Sequence, residues 1–426
     1  MSPALPSYEQ AAALVAAYAA QLGRLRSSAE HIGLDLSAGR VLAQPLFADR
    51  DQPPFTRSTR DGFACRAAEV STHRPLIIAG STRAGEAPAG PLPLGAAREI
   101  MTGAPVPAGA DAVAMFEQVE VAGDQVRLLP TRKVKPGENI VAQGAQGRKG
   151  DELLPAGTAI KSAQIALAAA CGYAAMDVFV RPRVAILATG DELAPVDSSP
   201  APGQIRNSNA PMLAAMVAAA GGEPWVLPTA ADDAQSLDGA LAQAAEADLL
   251  LISGGVSAGK FDLVEPALTR AGARFQFTGV RIQPGKPMVF GELPRKHQPA
   301  PQAHGKAHAF PFFGLPGNPV SSAVTFLLFA APVLAALAGS RESGPRFALA
   351  RLVHDIEKHG KPGLTRFLPA CCSFGDTAGQ LPEVALVPTQ GSGDLASLAR
   401  SNCFLVVPEE AHRLKAGAIA RILLLS

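Results

Sequence analysis

The chain has 426 residues, 48% hydrophobic and 18% charged, so it is a folded protein of about two to four domains and wholesale disorder is excluded. Its 38 basic and 37 acidic residues leave a net charge of +1, which argues against a general nucleic-acid binder. The 41 glycines and 37 prolines mark many turns with no collagen-like period, and with aromatics at 5% the core falls to Ala, Val and Leu.

In chain order, the first element is a helix over residues 7–25, where Ser7 followed by Gln10 has the form of a capping box. The apolar run 11–20 follows Glu9 and no Lys or Arg, so it lacks the basic leader of an export signal. An extended stretch at 40–46 ends at Pro53-Pro54. From there to Val141, short apolar runs at 76–79, 112–121 and 126–129 are cut by Gly and Pro, which predicts a small β-rich module. A turn-rich return at 151–158 leads to a helix at 163–170. Cys65, Cys171, Cys371, Cys372 and Cys403 form no CxxC pair, so they are expected as free thiols in a reducing compartment.

The texture changes at Arg181. Residues 184–188 and 249–253 are apolar runs typical of buried parallel strands, with a strand at 225–227 and helices at 211–220 and 234–245 around them. This alternation predicts an open α/β domain with right-handed crossovers, whose ligands bind beyond the C-terminal strand ends. Residues 291–309 read as a surface excursion, and its His297, His304 and His308 lack a helix to place them on one face. Residues 320–339 are uncharged and long enough to span a bilayer. Their Ala-rich text with Ser321, Ser322, Thr325 and Pro332 favours a buried helix. The text after Gly339, with runs at 347–353, 404–407 and 418–425, predicts a separate β domain.

Candidate chemistry sits at the strand ends. Thr189-Gly190-Asp191-Glu192 holds two carboxylates after a tight turn, which suits Mg²⁺ or the capping of a short helix. Ser253-Gly254-Gly255-Val256-Ser257 lets backbone N–H groups approach a phosphate, or is a glycine turn chosen for packing. The run to Lys260 matches GxxxxGK, but Phe261 replaces the Ser or Thr that a P-loop needs, so a P-loop NTPase is a poor reading. Asp262 is placed to meet a metal or a sugar hydroxyl, and Asp232-Asp233 supplies a further rim carboxylate or a helix cap. Carboxylates converging on one crevice repel each other, and Mg²⁺ between them and a pyrophosphate relieves this. Pro284-Gly285-Lys286-Pro287 offers a point charge to an anion. Pro316-Gly317-Asn318-Pro319 opens into a helix N-terminus.

These motifs resemble the MoeA family, which includes the E domain of gephyrin. The resemblance also rests on Ser58-Thr59-Arg60-Asp61-Gly62-Phe63-Ala64, Met101-Thr102-Gly103-Ala104-Pro105-Val106-Pro107, Gly137-Glu138-Asn139-Ile140 and Thr189 to Leu193. Weaker matches are Thr365-Arg366-Phe367-Leu368 and Gln390-Gly391-Ser392-Gly393. It implies a multidomain α/β plus β protein: a first domain from 1–52 and 146–180, a β-rich insert at 53–145, an α/β molybdopterin-binding domain at 181–339 and a C-terminal β barrel at 340–426. It implies a molybdenumtransferase that turns adenylyl-molybdopterin and molybdate into molybdenum cofactor and AMP with Mg²⁺. A scaffold without catalysis, or a divergent paralogue, is the alternative. It also implies a cytoplasmic homodimer, with the active site between the α/β domain of one chain and the insert of the other. The upstream partner would be a molybdopterin adenylyltransferase, with no nucleic acid and no membrane.

Carried over by position, Glu192, Asp232 and Asp262 match functional and metal-holding acids, and Asp61 and Thr102 match functional positions on the insert. Thr189, Gly190, Ser253, Gly254, Gly255, Ser257, Lys286, Pro316, Gly317, Asn318 and Pro319 match the cofactor-binding text. Val141 and Gln146 stand where some members carry Arg and Asp, and Gln283 where some carry Lys. Restoring Val141→Arg with Gln146→Asp is therefore expected to lower the molybdate requirement, and Val141→Arg alone to help little.

Overall fold

The computed structural model describes residues 5–23, 28–87, 90–255, 263–295, 309–357, 363–373, 380–411 and 413–425. The chain divides into a smaller unit, residues 44–156 with 162–175, and a larger unit made of the remainder.

The smaller unit carries a six-stranded sheet in the order Ala112–Met115, Gly62–Cys65, Ala96–Ile100, Leu76–Thr82, Gln125–Leu128 and Val119–Ala122. Phe63, Cys65, Leu76, Ala97, Val126 and Leu128 form its core. The expected run at 112–121 is two strands, parted by a 3₁₀ turn at Phe116–Gln118. There the Met115 N–H donates to the Gln118 side-chain oxygen at 2.9 Å, a local bond that competes with the ladder. Gly62 is required by its neighbour, since a Cβ there would lie 2.0 Å from the Ala114 carbonyl oxygen. The helix Ser162–Ala170 also belongs to this unit.

The larger unit begins with the helix Tyr8–Gly23. Its capping box is formed: the Ser7 N–H donates to Gln10 Oε1 at 2.9 Å and the Gln10 N–H to Ser7 Oγ at 3.2 Å. Tyr8, Ala11, Val15 and Ala19, spaced at helical intervals, are its buried face.

The central sheet has the order Glu223–Val226, Arg183–Ala188, Leu249–Ser253, Ala309–Leu315, Val289–Pro294, Arg274–Thr278. The strands from Glu223–Val226 to Ala309–Leu315 are parallel, and Val289–Pro294 and Arg274–Thr278 add antiparallel pairs. Arg183–Ala188 and Leu249–Ser253 are covered on both faces. Val184, Ile186, Leu249 and Leu251 enter one core cluster, and Ala185, Leu187, Leu250 and Ile252 the other. Covering both faces is why these strands read as unbroken apolar runs.

The apolar helix Pro319–Leu337 has the length to cross a membrane, but 78% of its most apolar stretch is buried inside the protein. Phe326, Phe329, Val333 and Leu334 pack in the first core cluster, so core packing accounts for its composition. Its middle, Phe326–Ala330, is a π-helical turn.

In the C-terminal part, Thr365–Ser373, Glu383–Leu386, Phe347–Leu352, Ile419–Leu424 and Cys403–Val407 pair in turn. Cys403–Val407 then returns to Thr365–Ser373, closing a five-stranded barrel. Leu352, Ala370, Val384, Leu405 and Ile422 form one cluster there, while Phe367, Phe404, Val406 and Leu423 join the α/β core. Tyr8 meets Phe367 edge-on at 5.6 Å between ring centres. All five cysteines are free thiols, with Cys371 exposed and the others buried.

Candidate functional site

The loops after the parallel strands of the larger unit interlock through backbone bonds. The Thr189 N–H donates to the Ser253 carbonyl at 3.1 Å, Thr189 bridges Ala230, and the Gly254 N–H donates to the Leu315 carbonyl at 3.1 Å. Asn209, the first residue of its helix, is buried beneath them. Its side-chain amide donates to Ser253 Oγ at 2.9 Å and to the Gly317 carbonyl at 2.6 Å. Ser253, Gly254, Gly317 and Thr189 are thus held as one surface, as expected for adjacent parallel strands. In the sequence Asn209 marks only the point after which a helix begins, and nothing there signals its bonds to Ser253 and Gly317.

Gly254 and Gly255 adopt φ of +97° and +62°. A Cβ on Gly254 would sit 2.7 Å from the Thr189 carbonyl oxygen, and one on Gly255 2.6 Å from Val264 and 2.9 Å from Thr189 Oγ1. Packing alone therefore demands glycine at both positions. Thr189 Oγ1, against this loop, is buried without a hydrogen-bond partner. Ser257 and Asp262, the remaining residues expected on this loop, lie outside the described residues, as do His297, His304 and His308.

Asp191, Glu192 and Asp232 form an acidic rim beside it. The Asp232 N–H donates to an Asp191 carboxylate oxygen at 3.1 Å. Partial burial pushes the Asp232 carboxyl above its ordinary value, and the Asp191 and Glu192 charges add to the rise, against a backbone hydrogen bond to Asp191 that lowers it. Gly190, at φ +141°, leaves space that Glu192 fills, since a Cβ there would meet Glu192 Oε2 at 2.4 Å. Asp191 and Glu192 cap no helix; they lead into the short strand Leu193–Ala194, paired with Ile205–Arg206. Asp233 is the helix cap, accepting from the Ser236 N–H at 2.8 Å and its hydroxyl at 2.7 Å. Among the described residues no group of three or more His, Cys, Asp or Glu stands ready to hold a metal ion.

Lys286 is exposed on a loop whose Gly285, at φ +111°, packs against Thr325. Gln283 just before it pairs in register with Arg366. Gln283 Oε1, Arg366 Nε and one Arg366 terminal nitrogen are all buried without partners, and burial lowers the Arg366 pKa. Buried, partnerless guanidinium donors suit an oxyanion. Arg366, in one of the weaker sequence motifs, is a further functional candidate; it takes the half-buried position between buried Thr365 and Phe367, so strand alternation alone gives no signal for it. The Asn318 side-chain amide donates to Ser392 Oγ at 3.0 Å. The Val320 N–H donates to the Ser392 carbonyl at 3.0 Å, so part of the helix N-terminus behind Pro316-Gly317-Asn318-Pro319 is already satisfied.

In the smaller unit, an Asp61 carboxylate oxygen accepts from both the Thr102 N–H at 2.7 Å and the Thr102 hydroxyl at 2.9 Å. These bonds, the backbone one first, hold the Asp61 carboxyl below its ordinary value. Two residues 41 positions apart form one exposed constellation. A separate hollow of about 590 Å³ in the larger unit, with Arg40, Met216, Leu327 and Arg346 on its walls, contains none of the expected site residues.

An α/β domain with an acidic, glycine-lined strand-end surface, accompanied by a β-sheet unit and a closed barrel, defines a multidomain α/β plus β protein. Three family models match it: the MoeA N-terminal region (domain I and II) at residues 6–172, a probable molybdopterin binding domain at 185–336, and the MoeA C-terminal region (domain IV) at 351–425. The chain is 34% identical to the molybdopterin molybdenumtransferase of Nostoc sp., over 89% of this chain and 85% of that one. It is 31% identical to that of Haemophilus influenzae, over 92% and 93%. It also superposes on the molybdopterin biosynthesis MoeA protein of Pyrococcus horikoshii with a TM-score of 0.74 at 29% identity, covering 99% of this chain and all of that one. The chain belongs to the MoeA family.

Proposed function

We propose that this chain is a molybdopterin molybdenumtransferase acting in molybdenum cofactor biosynthesis, with adenylyl-molybdopterin and molybdate as substrates. The observation that carries this is the joining of Thr189, Gly254, Gly255 and Gly317 into one strand-end surface beside the Asp191, Glu192 and Asp232 carboxylates. A glycine-lined surface admits a pyrophosphate, and the acidic rim needs a cation to lie near one.

Mg²⁺ would relieve the crowding of charge there, where burial first, and then the Asp191 and Glu192 charges, raise the Asp232 carboxyl. Glu192 and Asp232 would hold it, with Asp262 as the third acid expected from the sequence. When bound it would offset phosphate charge as the phosphoanhydride breaks. Molybdate is a tetrahedral oxyanion, and Lys286 and the partnerless Arg366 donors offer it charge and hydrogen bonds. The strand-end frame orients the nucleotide, and Asn209 keeps that frame together. By family likeness we further propose a homodimer working in the cytoplasm, supplied by a molybdopterin adenylyltransferase.

Purified protein given adenylyl-molybdopterin, Mg²⁺ and molybdate should release AMP together with molybdenum cofactor, and sediment as a dimer. No AMP release with folded protein overturns the proposed reaction. A fully active monomer overturns the dimer alone.

A further inference from the structure

We infer that Arg57 is an oxyanion-contacting residue of the smaller unit and stands in for the cation that Val141 does not supply, an inference that rests on the function proposed above. The short strand Arg57–Ser58 pairs antiparallel with Ile140–Val141, and Arg57 lies directly opposite Val141. Residues directly opposite in an antiparallel pair project from the same face with Cβ atoms about 4.5–5.5 Å apart. A guanidinium carried at position 141 would therefore share the space that Arg57 serves here.

The other edge of this strand is fastened to the loop that carries Thr102. Arg57 bridges Pro105, the Ser58 N–H donates to the Ala104 carbonyl at 3.0 Å, and the Gly103 N–H donates to the Ser58 carbonyl at 2.8 Å. Arg57 thus belongs to the same patch as the Asp61–Thr102 constellation.

The Nε of Arg57 is buried without a hydrogen-bond partner, and among the described residues its guanidinium makes no ion pair. The acids of this patch and its neighbourhood have other hydrogen bonds. Asp61 serves Thr102, Asp51 accepts from Gln143 and the Lys149 N–H, and Glu138 accepts from the Lys135 N–H. A planar cation with an unsatisfied Nε donor and no ion-pair partner suits the oxygens of a tetrahedral oxyanion, here molybdate or a phosphate of adenylyl-molybdopterin. The geometry also revises the expectation for Val141→Arg. With Arg57 in place, the new charge would face a like charge directly across the ribbon.

The test titrates molybdate at saturating adenylyl-molybdopterin, then the reverse, with wild-type protein and Arg57→Gln, Arg57→Lys and Arg57→Gln/Val141→Arg. Arg57→Gln should raise the half-saturating concentration of one substrate by about tenfold or more, the worth of a charge-assisted hydrogen bond, with a much smaller change in turnover number. The arm that shifts identifies the oxyanion. Arg57→Lys should keep most of the affinity, and Val141→Arg should restore part of what Arg57→Gln loses, because the charge returns to the same face. Unchanged half-saturation for both substrates overturns the inference, as does a loss that follows a lowered melting temperature and that Val141→Arg does not restore. Calorimetric titration with molybdate and with AMP judges Arg57 without turnover. If the wild type releases no AMP, the proposed function fails on its own, and equal binding by wild type and Arg57→Gln overturns the role of Arg57.

Discussion

Asp232 and Asp233 are adjacent carboxylates with opposite titration. Ser236 holds the Asp233 pKa below its ordinary 3.8, while burial and two acidic neighbours raise that of Asp232. The signs give opposite pH dependences. Asp233 contributes stability above its unfolded pKa, and that contribution is lost as pH falls through the lower folded value. Asp232 binds its proton more tightly in the fold, so its effect turns unfavourable as pH rises from the ordinary value through the raised one. Without Mg²⁺ at neutral pH, Asp232→Asn should leave the melting temperature unchanged or slightly higher, yet blunt the Mg²⁺ dependence of the rate. Asp233→Ala should lower the melting temperature through its lost cap and spare the Mg²⁺ dependence. Thermal melts and rate-against-Mg²⁺ curves on both variants decide this, and exchanged outcomes would reverse the two roles.

At the scale of elements, the strand-end surface depends on backbone proximity, and Gly254 is its tightest point. An added methyl group there meets the Thr189 carbonyl oxygen at 2.7 Å, and the φ of +97° is one that L side chains avoid. Backbone cannot move aside as a flexible side chain does. Gly254→Ala should therefore destabilise the protein by about 1–3 kcal/mol and weaken nucleotide binding beyond the loss in stability. Denaturant unfolding and AMP titration on the same preparation measure both effects. A variant of wild-type stability and affinity would show that this approach is not needed. The capping box at Ser7 and Gln10 is another local device, fixing where the first helix begins and so which face meets the core.

Across the whole molecule, the two units have separate cores. Phe63 anchors that of the smaller unit, while Phe367 joins the barrel to the α/β core of the larger one. Calorimetry should resolve two transitions. Phe63→Ala should lower one and Phe367→Ala the other, each by about 3–5 kcal/mol for a buried ring removed. One transition shifted as a whole by either change would mean that the units unfold together. Placing Phe367, Phe404 and Tyr8 in one cluster also explains why the aromatic residues, few in number, recur at the larger unit's junctions.

Much of what depends on neighbours along the chain was legible in the residues themselves. The buried strands at 184–188 and 249–253, the Ser7–Gln10 cap and the Pro319 helix start all follow from local pattern, because periodicity and capping act over a few residues. The run at 112–121 misled because its break is one hydrogen bond from Gln118, invisible to apolar counting. Only the tertiary structure decided which of two adjacent acids caps and which faces other carboxylates, since that turns on the position of Asp191 and Glu192. It likewise placed Thr102 on Asp61, Asn209 beneath Ser253 and Gly317, and Arg57 opposite Val141. Strand register and the pairing of distant side chains are set by the packing of whole sheets, and composition does not encode them.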